Sequence, residues 1–170
     1  MKWVLIVVGS LVAIAALAMV AGLLLPKGHK ASKTLRLKRS PAEVWAVITD
    51  YAAMTSWRTN LARVERLADQ DGKQVWKEVT QDGWELPLAD EVVEAPRRLV
   101  RRIEDPKLPF GGNWTYEIEP AAEGCLITIT ENGEVSNPLF RLMSRFSDPS
   151  ATIVQYLGGL AKRFGEEAEP

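Results

Sequence analysis

T-L-R-L-K-R-S-P-A-E-V-W-A-V-I, residues 34–48, changes from the periodicity of a strand to that of a helix. Residues 34–38 alternate between polar and apolar side chains, which is typical of a strand with one buried face. Ser40, Pro41 and Glu43 then predict a helix start, because serine can cap, proline suits the first helical position and glutamate completes a capping box. The apolar stripe of this helix consists of Val44, Val47 and Ile48. We therefore predict a strand and a helix in direct succession, followed by a second short helix over residues 52–57.

From residue 61 onward the apolar period is two, which is the period of β-strands. We predict strands over residues 62–68, 74–80, 85–94, 98–105, 113–119 and 126–135. The connections between them are short and rich in turn-forming residues, which favours antiparallel hairpins. Pro87 predicts an edge position or a bulge, because proline has no N–H to donate to a neighbouring strand. Gly111-Gly112 is interpreted as a turn and not as a phosphate-binding loop.

The chain closes with helical sequence. Asn137-Pro138 begins a short helix, and Asp148-Pro149 begins a longer one that Gly165 ends, with Asp148 as the cap. The apolar stripe of the longer helix consists of Ile153, Val154, Leu157, Leu160, Ala161 and Phe164. Gly158-Gly159 predicts a close approach by the sheet or a ligand, since each glycine costs about 1 kcal/mol in a helix. We predict an α+β fold in which a curved antiparallel seven-stranded sheet surrounds the C-terminal helix and leaves a cavity between the layers.

Upstream of these elements lies an almost entirely apolar stretch, Trp3–Leu25. As a helix it would measure about 34 Å, against a hydrocarbon core of about 30 Å. Trp3 suits a membrane interface, and Pro26 suits the end of the helix. We predict a single-pass transmembrane anchor over residues 1–26. A cleavable signal peptide is the alternative, although its apolar region would span only about 7–15 residues.

Charge is unevenly distributed along the chain. Residues 1–40 hold 7 Lys or Arg and no acidic residue, whereas residues 41–170 hold 14 Lys or Arg and 22 Asp or Glu. The basic residues beside the predicted span favour contact with the bilayer and a soluble domain on the cytoplasmic side. The acidic remainder argues against nucleic acid as a partner. We divide the chain into the anchor, a linker over residues 27–30, one domain over residues 31–165 and an acidic tail over residues 166–170.

Several of these segments resemble the START-like, or polyketide cyclase/dehydrase-like, helix-grip superfamily (SRPBCC). The similar segments are Leu35-Arg36-Leu37, residues 40–45, residues 50–57, residues 109–116, residues 128–131 and the helix from Pro149. The resemblance implies a helix-grip fold with an apolar cavity between the sheet and the C-terminal helix. It also implies a lipid, sterol, hormone or polyketide as ligand. It implies no catalytic residues, because the members share none and only a minority are enzymes.

Aromatic side chains are the most informative candidates for lining such a cavity. Small-molecule sites are largely apolar with a few placed polar groups, although buried tryptophans can equally fill a core. Strand parity places Trp114 and Tyr116 on one face and Trp76 and Glu78 on one face. The residues we assign to the ligand site are Trp57, Trp76, Trp84, Arg102, Trp114, Tyr116, Met143 and Leu157.

A cluster of arginines surrounds the predicted strand 98–105 and consists of Arg97, Arg98, Arg101 and Arg102. Strand parity places Arg101 on the face of Leu99 and Ile103, and Arg98 and Arg102 on the other face. One interpretation is a solvated face in which they pair with Glu91 or Glu94 across a hairpin. The other directs one arginine inward to bind a ligand carboxylate or phosphate, and for this role we choose Arg102.

Other reactive residues do not form a recognisable site. His29 is the only histidine and lies in the predicted linker, which argues against a catalytic triad or a histidine metal site in the domain. Cys125 is the only cysteine and suits a core position. Carboxylates such as Asp90 and Glu91 are predicted on solvated faces. We predict no metal, no cofactor and no catalytic residue.

Three functions remain open from the sequence. The first is a membrane-anchored domain that binds an apolar or amphipathic, lipid-like molecule between the sheet and the C-terminal helix. The second is a cofactor-independent cyclase or dehydratase that uses a carboxylate or a tyrosine such as Tyr116 in the same cavity. The third is a structural or assembly module with a solid core and no pocket.

Overall fold

The computed structural model describes residues 1–168, so the predicted tail over residues 166–170 lies partly outside the described residues. The elements in chain order are α1 (Lys2–Leu24), β1 (Gly28–Leu37), α2 (Pro41–Thr49), a 3₁₀ helix (Tyr51–Ser56), β2 (Leu61–Arg66), β3 (Val75–Thr80), β4 (Glu85–Glu94), β5 (Arg98–Ile103), β6 (Phe110–Ala121), β7 (Gly124–Val135), α3 (Pro138–Ser144) and α4 (Ala151–Arg163). The strands form one antiparallel sheet in the order β1-β7-β6-β5-β4-β3-β2. The predicted α+β fold, with a curved seven-stranded sheet and a C-terminal helix, is confirmed.

The transition from strand to helix follows from local chemistry. The Ser40 hydroxyl accepts a hydrogen bond from the Glu43 N–H at 3.3 Å, and the Glu43 carboxylate accepts one from the Ser40 N–H at 2.9 Å. Two N–H groups that the first helical turn leaves free are thereby paired. The predicted start of α2 is confirmed.

Strand β1 begins at Gly28, six residues before the alternation that starts at Thr34. Residues 28–30, which we expected in a linker, continue the pairing of β1 with β7 from Gly28 opposite Glu134 onward. The strand therefore starts almost directly after α1, because β7 offers it a continuous partner.

Two turn and edge predictions are wrong. Gly111-Gly112 lies inside β6, where Gly112 has a φ of +131°. A Cβ on Gly112 would lie 2.2 Å from the Asn132 carbonyl oxygen, so close strand contact and not a turn explains this glycine. Pro87 lies in β4, which is paired on both sides, and the register shift of β4 falls between Asp90 and Val92.

Helix α4 packs its apolar stripe against the sheet. Its buried residues are Ile153, Tyr156, Leu157, Leu160 and Ala161. Val154, which we predicted in this stripe, is exposed, and Tyr156 is buried instead. Asp148 precedes the helix and accepts from the Ser150 N–H at 2.8 Å, whereas the cap position itself is Ser150. Cys125 is buried in the core, as predicted.

A joint of defined geometry connects α1 to the domain. Arg141 of α3 is buried, and its Nη1 donates to the Gly22 and Leu25 carbonyl oxygens of α1, each at 3.0 Å. Its Nε and Nη2 donate to the Val135 and Ser136 carbonyl oxygens. One guanidinium thus satisfies carbonyls at the end of α1, where a helix leaves them unpaired.

Candidate ligand-binding site

The interior between the sheet and α4 contains charged and tyrosine side chains. We call them the interior polar cluster, which consists of Tyr51, Arg58, Glu78, Asp90, Arg101 and Tyr156. Glu78, Asp90 and Arg101 are 3%, 9% and 1% exposed, respectively. Buried charges are rare unless they are paired, so this cluster is the most unusual feature of the domain.

Strand register brings the charged members together. Asp90 of β4 lies directly opposite Arg101 of β5, and directly opposed side chains share one face of a sheet. Glu78 reaches the same face from β3, one strand further along. Arg58 enters from the segment that joins the 3₁₀ helix to β2.

Hydrogen bonds link these groups into a chain. Arg101 Nη1 donates to Glu78 Oε1 at 2.6 Å, and Arg101 Nε donates to Asp90 Oδ1 at 3.1 Å. Arg58 Nη1 donates to Glu78 Oε2 at 2.7 Å, so each oxygen of Glu78 is held by a different arginine. The Tyr51 hydroxyl donates to Asp90 Oδ2 at 2.9 Å. Two positive and two negative charges therefore balance inside the domain.

Aromatic rings surround the two arginines. The Arg101 guanidinium carbon lies 4.1 Å from the centre of the Tyr51 ring, and that of Arg58 lies 4.9 Å from the Tyr156 ring. The centre of the Tyr156 ring also lies 5.1 Å from that of Trp57, in an edge-on contact, and 5.4 Å from that of Tyr116. Cation–π contacts of this kind stabilise by about 2 kcal/mol when they are desolvated.

The pKa values follow from burial and pairing. Burial alone would raise the pKa of Glu78, but the charges of Arg58 and Arg101 outweigh it and hold that pKa below its ordinary value. Burial raises the pKa of Tyr116 to about 12 and raises that of Tyr156 well above its ordinary value. Glu78 is therefore ionised at neutral pH, and both tyrosines are protonated.

Three groups of this region lack hydrogen-bond partners among residues 1–168: Arg58 Nε, Arg101 Nη2 and the Tyr156 hydroxyl. All three can donate a proton to an acceptor. A buried polar group without a partner costs about 1–3 kcal/mol, and native proteins contain few of them. The three donors belong to residues that are linked through Glu78 and the Tyr156 ring, and they could donate to an oxygen acceptor placed among them.

Four of the predicted site residues lie around this cluster. Trp57 and Tyr116 both contact Tyr156, and Leu157 lies in the same core. Trp76 contacts Tyr51 at 5.4 Å between ring centres.

Trp114 is half-buried and packs against the core. Its Nε1 donates to Glu131 at 2.9 Å, and Glu131 also accepts from Thr152 of α4 at 3.0 Å. The structure therefore ties Trp114 to α4 through a shared carboxylate.

The structure places the other predicted residues elsewhere. Arg102 points away from the interior and pairs with Glu91 at 2.5 Å, so the buried arginine is Arg101 and our choice of Arg102 has the wrong orientation. Met143 is 68% exposed on α3. Trp84 contacts Phe110 at 5.2 Å and Phe140 at 6.4 Å, in a separate aromatic cluster.

The interior also differs from the purely apolar cavity that the family resemblance implies. The interior polar cluster lies between the sheet and the helices, and Asp90 is buried where a solvated position was predicted. Sequence parity did contain part of this result, since it placed Glu78 beside Trp76 and Arg101 beside Leu99. Tyr156 was recoverable from its spacing to Ile153 and Leu160, three and four residues away.

Comparison with known proteins identifies the family. Residues 28–162 match the family described as polyketide cyclase / dehydrase and lipid transport. The chain belongs to this family. The residues that match the polyketide cyclase/dehydrase and lipid transport family include the whole sheet and nearly all of α4, whereas α1 lies outside the matched region. No curated protein matches the chain.

Solved structures share the fold at low sequence identity. A START superfamily protein from Mycobacterium smegmatis is 16% identical with a TM-score of 0.62, over 79% of this chain and 96% of that one. Protein MLL2253 from Mesorhizobium loti is 13% identical with a TM-score of 0.62, over 81% and 97%. Truncated norcoclaurine synthase from Thalictrum flavum is 12% identical with a TM-score of 0.65, over 81% and 93%. These likenesses establish the START-like fold of the domain.

Helix α1 is a candidate membrane span. By length and composition it is apolar enough to cross a bilayer, and an N-terminal signal sequence would meet the same criteria.

Proposed function

We propose that this protein is a membrane-anchored binding domain for an amphipathic, lipid-like molecule. The ligand lies between the sheet and α4, with its polar end at the interior polar cluster and its apolar part against the surrounding aromatic rings. The domain faces the cytoplasm, and α1 holds it at the membrane.

The unpaired donors of Arg58, Arg101 and Tyr156 carry this proposal. A ligand carboxylate, carbonyl or hydroxyl oxygen placed among them would satisfy groups that the protein alone leaves unsatisfied. The neighbouring rings of Trp57 and Tyr116 supply apolar surface for the rest of the ligand. The family description includes lipid transport, which is consistent with a lipid-like ligand.

The membrane part of the proposal is supported by α1 and by the charges that follow it. Lys27 follows the helix by three residues, and Lys30 and Lys33 lie in the first part of β1. Basic residues beside a span favour the cytoplasmic side and attract anionic headgroups. The anchored domain would receive a lipid-like ligand from the adjacent leaflet.

Binding is favoured over catalysis by the protonation states of the site. A general acid or base works best with a pKa near the operating pH. The pKa of Tyr116 is about 12, and Glu78 is ionised with both oxygens held by arginines. Neither is suited to proton transfer at neutral pH, so the cyclase or dehydratase alternative lacks a base among them.

A solid-core assembly module is the remaining alternative. The two functions predict different effects of one substitution on ligand binding. Tyr156→Phe removes a hydroxyl that has no partner among the described residues, so it leaves the packing intact. An assembly module would not respond to this change in any binding assay. A binding domain would lose one ligand hydrogen bond.

The experiment uses the full chain in nanodiscs, with empty nanodiscs as the blank. Binding of a dansyl-labelled fatty acid is followed by fluorescence, and co-purifying molecules are identified by mass spectrometry. We expect saturable binding that Tyr156→Phe weakens several-fold, up to about tenfold, at an unchanged or higher melting temperature. Absence of binding, or equal affinity in both proteins, would refute the assigned site.

A further inference from the structure

An exposed apolar surface lies on α3 and directly after it. Leu139, Met143 and Phe146 are 42%, 68% and 89% exposed, and we call these three residues the α3 face. Among residues 26–168, the other exposed large apolar side chains are Trp84, Val93 and Val154. Apolar exposure outside α1 is therefore concentrated at one short helix.

The position of α3 relative to α1 is fixed by two close contacts. Arg141 donates to the Gly22 and Leu25 carbonyl oxygens, as described above. A Cβ on Gly22 would lie 2.1 Å from the Pro138 carbonyl oxygen, so only glycine allows this approach of the two backbones. The start of α3 therefore lies beside the last turn of α1.

This contact fixes the depth of α3, if α1 spans the membrane as we propose. Helix α1 has 23 residues and is about 34 Å long. The hydrocarbon core is about 30 Å thick, and the bilayer with its headgroups about 40–45 Å. Gly22 lies two residues, or about 3 Å, before the end of α1. It therefore lies near the headgroup boundary, and so does the start of α3.

The side chains of α3 are divided between a face that packs on the protein and an exposed apolar face, as in a helix at a membrane interface. Phe140 points toward the domain, where its ring stacks on Phe110 at 5.7 Å, and Arg141 is buried against α1. The α3 face points away from both. Arg145 directly follows α3 and Lys27 follows α1 by three residues; both are exposed and carry the positive charge that anionic headgroups attract.

We infer that the α3 face inserts into the boundary between headgroups and acyl chains of the bilayer that α1 spans. The occupant of this surface is lipid, because the surface is continuous with α1 at a membrane-interface depth and is flanked by basic residues. This inference rests on the proposed membrane anchor. It also places the aromatic cluster of Trp84, Phe110 and Phe140 next to the bilayer surface.

The test measures the depth of single labels in the full chain. Cys125→Ala removes the native thiol, and an environment-sensitive fluorophore is attached to one new cysteine at a time: Phe146→Cys, Ile14→Cys or Glu123→Cys. Ile14 lies mid-way along α1, whereas Glu123 is exposed at the opposite end of β7 from α3, about 36 Å along the strand. The proteins are placed in nanodiscs of zwitterionic and anionic lipid with bromine either near the headgroup or near the chain ends.

We expect bromine near the headgroup to reduce the fluorescence at position 146 about twofold and to leave position 123 unchanged. Bromine near the chain ends should quench position 14. If position 14 is quenched and position 146 behaves like position 123, the anchor stands and the inference fails, which would assign the α3 face to a protein partner or a second copy. If position 14 is unquenched, the membrane anchor and the inference both fail.

Discussion

Arg101 is held between two carboxylates in the interior, and this single residue has the largest expected effect on stability. It bonds to Glu78 and Asp90 and lies 1% exposed. Burying a charge costs several kcal/mol, which its partners must offset. Arg102, the next residue, has the same chemistry in solvent, where its pair with Glu91 is screened. Comparing variants of the two arginines therefore separates the contribution of burial to stability from the contribution of charge alone.

We predict that Arg101→Gln lowers the free energy of unfolding by about 3–5 kcal/mol, because it leaves Glu78 and Asp90 short of one buried partner. Arg102→Gln should lower it by at most about 1 kcal/mol. Urea unfolding of the full chain, followed by tryptophan fluorescence, measures both. Equal unfolding midpoints for the two variants would contradict the assigned roles.

The contrast between these residues also shows where sequence parity ends. Parity put Arg101 on the face of Leu99 and Ile103, and that placement is correct. The choice of Arg102 as the inward residue was wrong. Arg101 shares its face with two apolar residues, but no local pattern shows the carboxylates that a buried arginine needs as partners. The carboxylates that make a buried Arg101 tolerable lie 11 and 23 residues away in sequence. Only the strand register brings them together.

At the scale of elements, the two glycines of α4 have different environments. A Cβ on Gly159 would lie 2.9 Å from the Trp57 carbonyl oxygen, whereas a Cβ on Gly158 would have no heavy atom within 4 Å. The close approach that the glycine pair predicts is therefore made at Gly159, by Trp57 at the end of the 3₁₀ helix and not by the sheet. Gly158 has no steric reason to be glycine among the described residues.

We predict that Gly158→Ala stabilises the domain by up to about 1 kcal/mol, which is the difference in helix propensity. Gly159→Ala should destabilise it, because the added methyl group clashes with a backbone carbonyl that cannot rotate away. Thermal unfolding of the two variants, each compared with the unsubstituted chain, is the measurement. A stabilised Gly159→Ala would show that Trp57 and α4 are not in close contact.

Elements with strong local signals were predictable from the sequence, and those that depend on distant partners were not. The capping box of Ser40 and Glu43 fixed the start of α2, and alternation gave β4 its observed bounds, Glu85–Glu94. β1 extends back to Gly28 and β6 back to Phe110, since in each case β7 supplies a partner that no local pattern reveals. The interior polar cluster belongs to the second class, because its six members come from six different elements or connections.

At the scale of the whole molecule, Arg141 connects α1 to the domain. Its guanidinium bonds four backbone carbonyls, two at the end of α1 and two at the end of β7. Arg145, four residues on, is exposed and serves as a matched control.

We predict that Arg141→Ala loosens this joint and that tryptic cleavage after Lys27 becomes several-fold faster in nanodiscs, because the adjoining backbone opens more often. Arg145→Ala should leave that rate unchanged. Cleavage products are quantified by mass spectrometry. Equal rates in the two variants would show that Arg141 does not control the joint.

The short connection at Gly22 and Arg141 has a consequence for how this protein would meet its ligand. If α1 anchors the domain as proposed, the hydrogen bonds of Arg141 and the close contact at Gly22 would restrict rotation of the domain relative to α1, whereas a long disordered tether would not. The domain would then encounter only ligand molecules that diffuse within the same leaflet. Collision would occur in two dimensions, so its rate would depend on membrane fluidity more than on the volume of the cell.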